Sequence, residues 1–361
     1  MRYIIGGVVL LLIAAVGWSI LHIVPASGIN AELNTRLADQ CARVDIAPGT
    51  EDVTIDAELG LAFISAADRR AWFQGGEGAI NPQNGIYAMT LDGASVRRVS
   101  PPMDNFLPHG ISLWRGDDGS KRLFVVNHPP SGEETVEIFD IGANGDLTHV
   151  ETISFPAMKS PNDLVAVGPR QFYVTNDKGF KNRILGTIEG YLALPLASVA
   201  YFDGENGRIV KGGIAYANGI NKSADGAAIY VAELLKRRVL VFERNPETNA
   251  LKRIKTLKVD TAPDNIEVSQ DGALWVAGHS KIFEFLNHAK DENTIAPSHV
   301  VRVNPRNGVT SDVLISINGE INGSSVGAVW ANTLIVGAVF DGHVLVCPML
   351  EILLRGRPAE T

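Results

Sequence analysis

Two histidines stand where proton chemistry is possible. His109 opens the apolar run Pro108-His-Gly-Ile-Ser112, and His128 closes the next, Leu123-Phe-Val-Val-Asn-His128, with a turn-rich stretch from Arg115 to Lys121 between them. If the runs pair as an antiparallel hairpin, the start of one and the end of the other lie at the same end, and the imidazoles meet. A histidine pair titrating near neutrality is a candidate proton relay; two unrelated histidines at strand ends are the plain alternative.

A second set of residues offers oxygen. Six polar heads recur along the chain: Glu51-Asp52-Val, His109-Gly-Ile, Asn162-Asp163-Leu, Asn218-Gly-Ile, Asp264-Asn265-Ile and Ser324-Ser325-Val. Gathered in a ring, Glu51, Asn162, Asn218, Asp264 and Asn265 supply only oxygen donors, two of them anionic. With no cysteine and no His-x-x-x-His spacing beside them, zinc is disfavoured. Loose rings of hard oxygens suit Ca²⁺, with Mg²⁺ the weaker alternative. Asp52 and Asp163 adjoin two of these residues and, by strand alternation, point the other way. They could hold a second, deeper cation or simply accept hydrogen bonds from strand-end amides. A cation with an open position polarises an ester carbonyl. No Gly-x-Ser-x-Gly elbow is present, so water is the expected nucleophile, with His109 as its base and His128 passing the proton on. Asp177, after Thr175-Asn176, is a candidate to orient one of the histidines.

Something must bring these heads together. Roughly ten residues after each lies a β-branched run: Leu61-Ala-Phe-Ile-Ser65, Leu123-Phe-Val-Val-Asn127, Phe172-Tyr-Val-Thr-Asn176, Ile229-Tyr-Val-Ala-Glu233, Leu274-Trp-Val-Ala-Gly278 and Leu334-Ile-Val-Gly-Ala338. The period of about fifty residues is that of four-stranded propeller blades. The chain therefore reads as an all-β, six-bladed β-propeller over residues 41–361, whose innermost strands bring the six heads to one axis.

The bounds agree. Hydrophobic residues make up 45% of 361 and charged ones 20%, with 36 glycines for turns. A net charge of −8 without a basic stripe argues against nucleic acid as a partner. Residues 1–26 form an apolar segment, Ile4 to Val24 being interrupted only by Ser19 and His22, with Arg2 before it. That pattern predicts a transmembrane or signal-anchor helix, or else a cleaved signal at Val24-Pro25-Ala26. The expected placement is extracytoplasmic, on the periplasmic or extracellular side, anchored in the membrane or alternatively secreted. Residues 27–40 read as a linker or short helix. The only two cysteines, Cys41 and Cys347, are in an exported chain first read as a disulfide, and otherwise as two separate thiols.

Taken in order, Cys41 with Glu51-Asp52, Pro108-His-Gly-Ile-Ser, Val125-Val-Asn-His-Pro129, Asn162-Asp-Leu-Val-Ala-Val-Gly-Pro169, Thr175-Asn-Asp177, Ala217-Asn-Gly-Ile-Asn221, Ile229-Tyr-Val-Ala-Glu-Leu-Leu235 and Asp264-Asn-Ile266 resemble the paraoxonase/arylesterase family. The likeness runs from about Asn30 to Cys347. It implies a six-bladed propeller with two Ca²⁺ ions in its tunnel, a Cys41–Cys347 disulfide, and hydrolysis of lactones, aryl esters and sometimes organophosphates. Carried over by position, the catalytic calcium falls to Glu51, Asn162, Asn218, Asp264 and Asn265. The structural calcium falls to Asp52, Asp163 and the carbonyl of Ile111, and the dyad is His109 with His128. The family's hydrophobic N-terminus, often retained, agrees with an anchor. Mammalian members carry a free cysteine before a histidine, whereas Gly278 precedes His279 here, so no thiol is required and His279 reads as a pocket wall. The stretch Ile184 to Tyr201, similar in place to a surface helix over the active site, contains Gly186, Gly190 and Pro195, which argue against a continuous helix. Two other readings remain open: a sugar-acid lactonase of the related propeller group, and a non-catalytic binding module that uses calcium for rigidity.

Overall fold

The computed structural model describes residues 2–75, 80–130 and 133–349. Six four-stranded antiparallel sheets stand around a central axis. Each runs outward in chain order, except the sixth, in which the N-terminal strand Ala42–Asp45 pairs with the last strand, His343–Pro348. The six innermost strands are Thr50–Asp56, Pro108–Arg115, Pro161–Ala166, Ala217–Lys222, Ala262–Val268 and Ser324–Trp330, and each packs beside the next until the ring closes.

The six apolar runs are the second strands of the blades. Each blade is sandwiched between two others, so a second strand is buried on both faces and carries no polar alternation: Phe172–Asn176 is buried throughout. Outermost strands are largely solvated: Leu147–Ile153 is buried only at its two ends, and Leu251–Lys258 only at Leu251 and Leu257. One apolar cluster fills each of the six gaps between blades; Phe124 and Ile138 of the second blade meet Phe172 and Phe202 of the third in one of them. Two turns of matching sequence, Ser223-Ala-Asp-Gly226 and Ser269-Gln-Asp-Gly272, end in glycines at φ of 67° and 79°, a left-handed conformation that favours glycine.

Cys41 and Cys347 form a disulfide spanning 306 residues. The bond lies beside the strand pair that completes the sixth blade, so covalent and hydrogen-bonded closure coincide.

The N-terminal reading needs correction. The apolar segment does form a helix, Arg2–Ser27, but among the described residues no helix is long and apolar enough to cross a membrane. The expected transmembrane or signal-anchor helix, the membrane as a partner and the membrane-anchored location therefore do not stand. A hydropathy run cannot show what its helix packs against, and here the propeller engages its last turns. Trp18 Nε1 donates to the carbonyl of Leu192 at 2.7 Å, Lys236 Nζ lies 3.3 Å from His22 Nδ1, and Arg237 donates to the carbonyl of Ala26. Ala26 and Ser27 are buried. Between the second and third strands of the third blade, Arg183–Tyr191 is helical and Ala197–Phe202 is a strand, so Pro195 falls in the connection and breaks nothing.

Candidate active site

Every innermost strand is irregular at the same height. In the second blade the pairing jumps from Pro108↔Asn127 to Ile111↔Val125, leaving His109 and Gly110 out of the ladder. Equivalent jumps release Asn162 and Asp163, Asn218 and Gly219, and Asp264 and Asn265. Glu51 and Ser325 are released singly in the first and sixth blades. A β-bulge leaves an unpaired residue and bends its strand. The polar heads of the sequence are therefore the bulges, which free their side chains from the blade faces.

Adjacent bulges interlock. A Cβ on Gly110 would stand 2.5 Å from Asp163 Cα, and one on Gly219 would stand 2.5 Å from Asn265 Cα. Glycine in the second and fourth blades thus makes room for the two-residue polar heads of the third and fifth. The amide that follows each glycine is used as well. Ile111 N–H donates to Asp52 Oδ2 and Ile220 N–H to Asp163 Oδ2, both at 2.7 Å. Each aspartate also accepts the amide of its own successor, Val53 or Leu164.

The gathered oxygens are not satisfied by each other. Glu51 Oε2, Asn162 Oδ1, Asn218 Oδ1 and Asn265 Oδ1 are buried without hydrogen-bond partners. Burying an unpaired polar atom costs about 1–3 kcal/mol, and here four blades present one each at the same level. Asn265 Nδ2 donates to Glu51 Oε1 at 2.9 Å, which turns its own oxygen elsewhere. Asp264 pairs with His279 Nε2 at 3.0 Å. Burial raises the Asp264 carboxyl, with His279 opposing. Burial and then the charge of Glu51 push Asp52 well up; burial and then Asp52 do the same to Asp163. Crowded carboxylates and orphaned amide oxygens are the donor chemistry of a hard divalent cation. Among the described residues no group of three or more His, Cys, Asp or Glu converges in a metal cage, as expected of a ring in which Asn162, Asn218 and Asn265 are carboxamides. Beyond Asp52 and Asp163 the tunnel continues as a polar cavity of about 80 Å³ lined by Thr54, Ile111, Asn221 and Glu267 among others.

The two histidines meet as the hairpin requires. His109 Nδ1 lies 2.7 Å from His128 Nε2, and His109 Nε2 lies 3.5 Å from Glu51 Oε1. His128 Nδ1 in turn lies 2.5 Å from Glu134 Oε2, and Trp72 stacks on the His128 ring with centroids 5.5 Å apart. The four groups form a chain from buried Glu51, through His109 at 16% side-chain exposure, to Glu134 at 31%. Burial, and next the charge of Arg69, lower His109 to about 4. Glu51 is held low: burial would raise it, but His109, Arg69 and Asn265 outweigh that.

Asp177 does not reach the histidines; it accepts from Ser160 and pairs with Lys178 at 3.2 Å. Glu134 occupies the orienting place instead. His279 lies in the wall, its ring stacked on Phe285 at 3.7 Å. A side chain on Gly278 would collide with the carbonyl of Ala262, so this backbone has no room for a cysteine before His279.

Sequence reasoning missed Glu134, which stands outside the repeating runs and heads and carries no periodic signal. It also missed Arg69 and Trp72, on the short helix Arg69–Phe73 capped by Asp68. The available signal was position: Asp68-Arg69 leaves the end of Leu61–Ala66, at the same rim as His109.

The arylesterase family profile matches residues 81–349. Serum paraoxonase/arylesterase 2 of Rattus norvegicus is 36% identical over 317 residues, covering 84% of this chain and 87% of that protein. Serum paraoxonase/arylesterase 1 of Homo sapiens is 34% identical, with coverage of 82% and 84%. Among solved structures, luciferin-regenerating enzyme superposes with a TM-score of 0.51 at 14% identity, covering 87% of this chain and 94% of its own. Regucalcin from Agrobacterium tumefaciens, described as calcium-binding, gives 0.50 at 13%, covering 88% and 94%. These likenesses carry the fold. The class is a six-bladed propeller hydrolase of the arylesterase and lactonase kind. Within it, the chain belongs to the paraoxonase/arylesterase family, as the relatives' identity over most of its length shows.

Proposed function

We propose that this protein hydrolyses lactones and aryl esters by activating water beside calcium held in the propeller tunnel. The observation that carries the reading is the set of four partnerless buried oxygens, on Glu51, Asn162, Asn218 and Asn265, next to the Glu51–His109–His128–Glu134 chain. With Asp264 they would hold one Ca²⁺, and Asp52, Asp163 and the Ile111 carbonyl a second that braces the tunnel. Bound calcium supplies Lewis acidity to the substrate carbonyl and countercharge to the oxyanion that develops.

The residues of the chain do the rest. Glu134 accepts a proton from His128 Nδ1, which leaves His128 Nε2 as an acceptor. His109 Nδ1–H therefore donates to His128, and the His109 Nε2 lone pair faces the tunnel. Held neutral by burial and by Arg69, His109 takes a proton from water at Nε2 and releases one from Nδ1 to His128. Glu134, partly exposed, receives the charge at the solvent end.

The rim favours apolar substrates. Rings stand against two histidines: Trp72 stacks on His128 and Phe285 on His279, with Phe340 beside Phe73 and Phe285. Such walls suit aryl or acyl groups better than the hydroxyls of a sugar acid. The test is turnover of phenyl acetate, alkyl-substituted lactones and gluconolactone before chelation, after it, and with calcium restored. Loss on chelation, recovery with calcium and preference for apolar substrates are expected; absence of turnover for every ester defeats the reading.

A further inference from the structure

Arg69 is a buried cation with work left over. It is 4% exposed, although a guanidinium carries five N–H donors that burial obliges to find partners. One terminal nitrogen donates to the carbonyl of Pro108, immediately before His109. The same nitrogen stands 4.0 Å from Glu51 Oε2, at the limit of an ion pair and beyond a hydrogen bond. Glu51 Oε2 is buried without a hydrogen bond, and on Arg69 the Nε–H is likewise buried without one. Glu51, Asp264 and Asp52 all act on Arg69 electrostatically, which places its charge at the ring of heads.

An arginine placed to neutralise Glu51 would close the pair, and the Pro108 carbonyl restrains this one from doing so. We propose that Arg69 is the anion-recognition residue of the site, binding the carboxylate that opening of an ester or lactone generates. The inference rests on the hydrolytic reading above and adds a substrate-contacting residue to it. Water forms the new acyl C–O bond, the old acyl C–O bond breaks, and the departing oxygen takes a proton. A neutral acyl group thereby becomes a carboxylate, and the second proton of the water leaves by way of His109 and His128 to Glu134 and solvent. A fixed guanidinium gains little from the neutral ester and much from the developing anion, with a fork that matches a carboxylate's two oxygens. Selection follows: the site retains acids that resemble its products, and neutral isosteres lack this hold.

The experiment is calorimetric titration of the calcium-loaded full chain with hexanoate and with its neutral isostere hexanamide. The wild-type protein is expected to bind hexanoate at least about tenfold more tightly. Arg69→Gln should abolish that preference, and Arg69→Lys, which keeps the charge but loses the fork, should reduce it about threefold. Calcium affinity in Arg69→Gln should rise, since a like charge beside the cation is gone. A preference unchanged in either variant overturns the assignment. So does a loss of calcium affinity that matches the loss of hexanoate binding, because the anion would then have followed the metal. Failure of the hydrolytic reading is read separately, as absence of ester turnover by the wild-type protein.

Discussion

The sixth blade and the fourth use the same backbone device to opposite ends. In both, the innermost strand bulges at the tunnel wall. In the sixth, Ser325 Oγ donates to the carbonyl of Glu51, while Ser324 exchanges hydrogen bonds with Ser298 and His299, so the head is spent on holding the ring. In the fourth, Asn218 Oδ1 is buried with no partner. A bulge at the same height thus carries in one blade a head whose hydrogen bonds are met within the fold and in the other a head whose oxygen is left unmet. The bulge supplies position; satisfaction or its lack separates the two heads.

That contrast can be broken by substitution, and the largest effect is expected in the second blade. His109→Gln should lower ester turnover by about 10²–10⁴-fold, the usual worth of a general base, while calcium affinity measured by calorimetry stays as it was. Retained turnover would remove His109 from the mechanism. The pH profile sharpens the point. A base lowered to about 4 stays unprotonated well below the ordinary histidine value, so the acid limb of kcat/KM should fall near pH 4 rather than near 6.5. Because the folded pKa is the depressed one, His109's share of stability is complete above about 6.5 and is lost as pH falls toward 4.

Asn218→Ala should weaken calcium by more than the roughly 10–100-fold that loss of an outer-shell partner brings. The metal-free protein should become more stable by about 1 kcal/mol as a buried orphan disappears, seen as a higher melting temperature in chelator. An unchanged calcium isotherm would remove Asn218 from the ring. Glu134→Gln should lower turnover by about tenfold without altering calcium binding, and parity with wild type would show that His128 needs no carboxylate. The smallest effect belongs to Ser325→Ala: about 1 kcal/mol of stability and no change in calcium affinity. If that variant lost calcium instead, the two blades would not differ as described.

Much of this architecture was legible in the chain. The blade period showed because second strands are buried on both faces, which writes them as uninterrupted β-branched runs such as Ile229-Tyr-Val-Ala. Their recurrence placed the heads, and the hairpin argument placed His109 against His128. What escaped depended on paths through space. Glu134 reaches His128 from outside the strands, and Arg69 reaches Pro108 from a single helical turn; neither carries a periodic signal. The bulges were hidden too, since an extra residue in a strand changes spacing by one and leaves composition untouched. The N-terminal segment misled for the converse reason: an apolar run is legible, but the hydrogen bonds that tie its last turns to the propeller are not.

The join between Ala42–Asp45 and His343–Pro348 also sets a timetable. During synthesis the earlier blades can stack as they emerge, yet Ala42–Asp45 stays without its neighbour until His343–Pro348 has been made. Glu51 and Asp264 come from distant stretches of the chain, so the six heads share one ring only once the propeller has closed. A chain truncated ahead of His343 would therefore be left with an open arc in place of a ring.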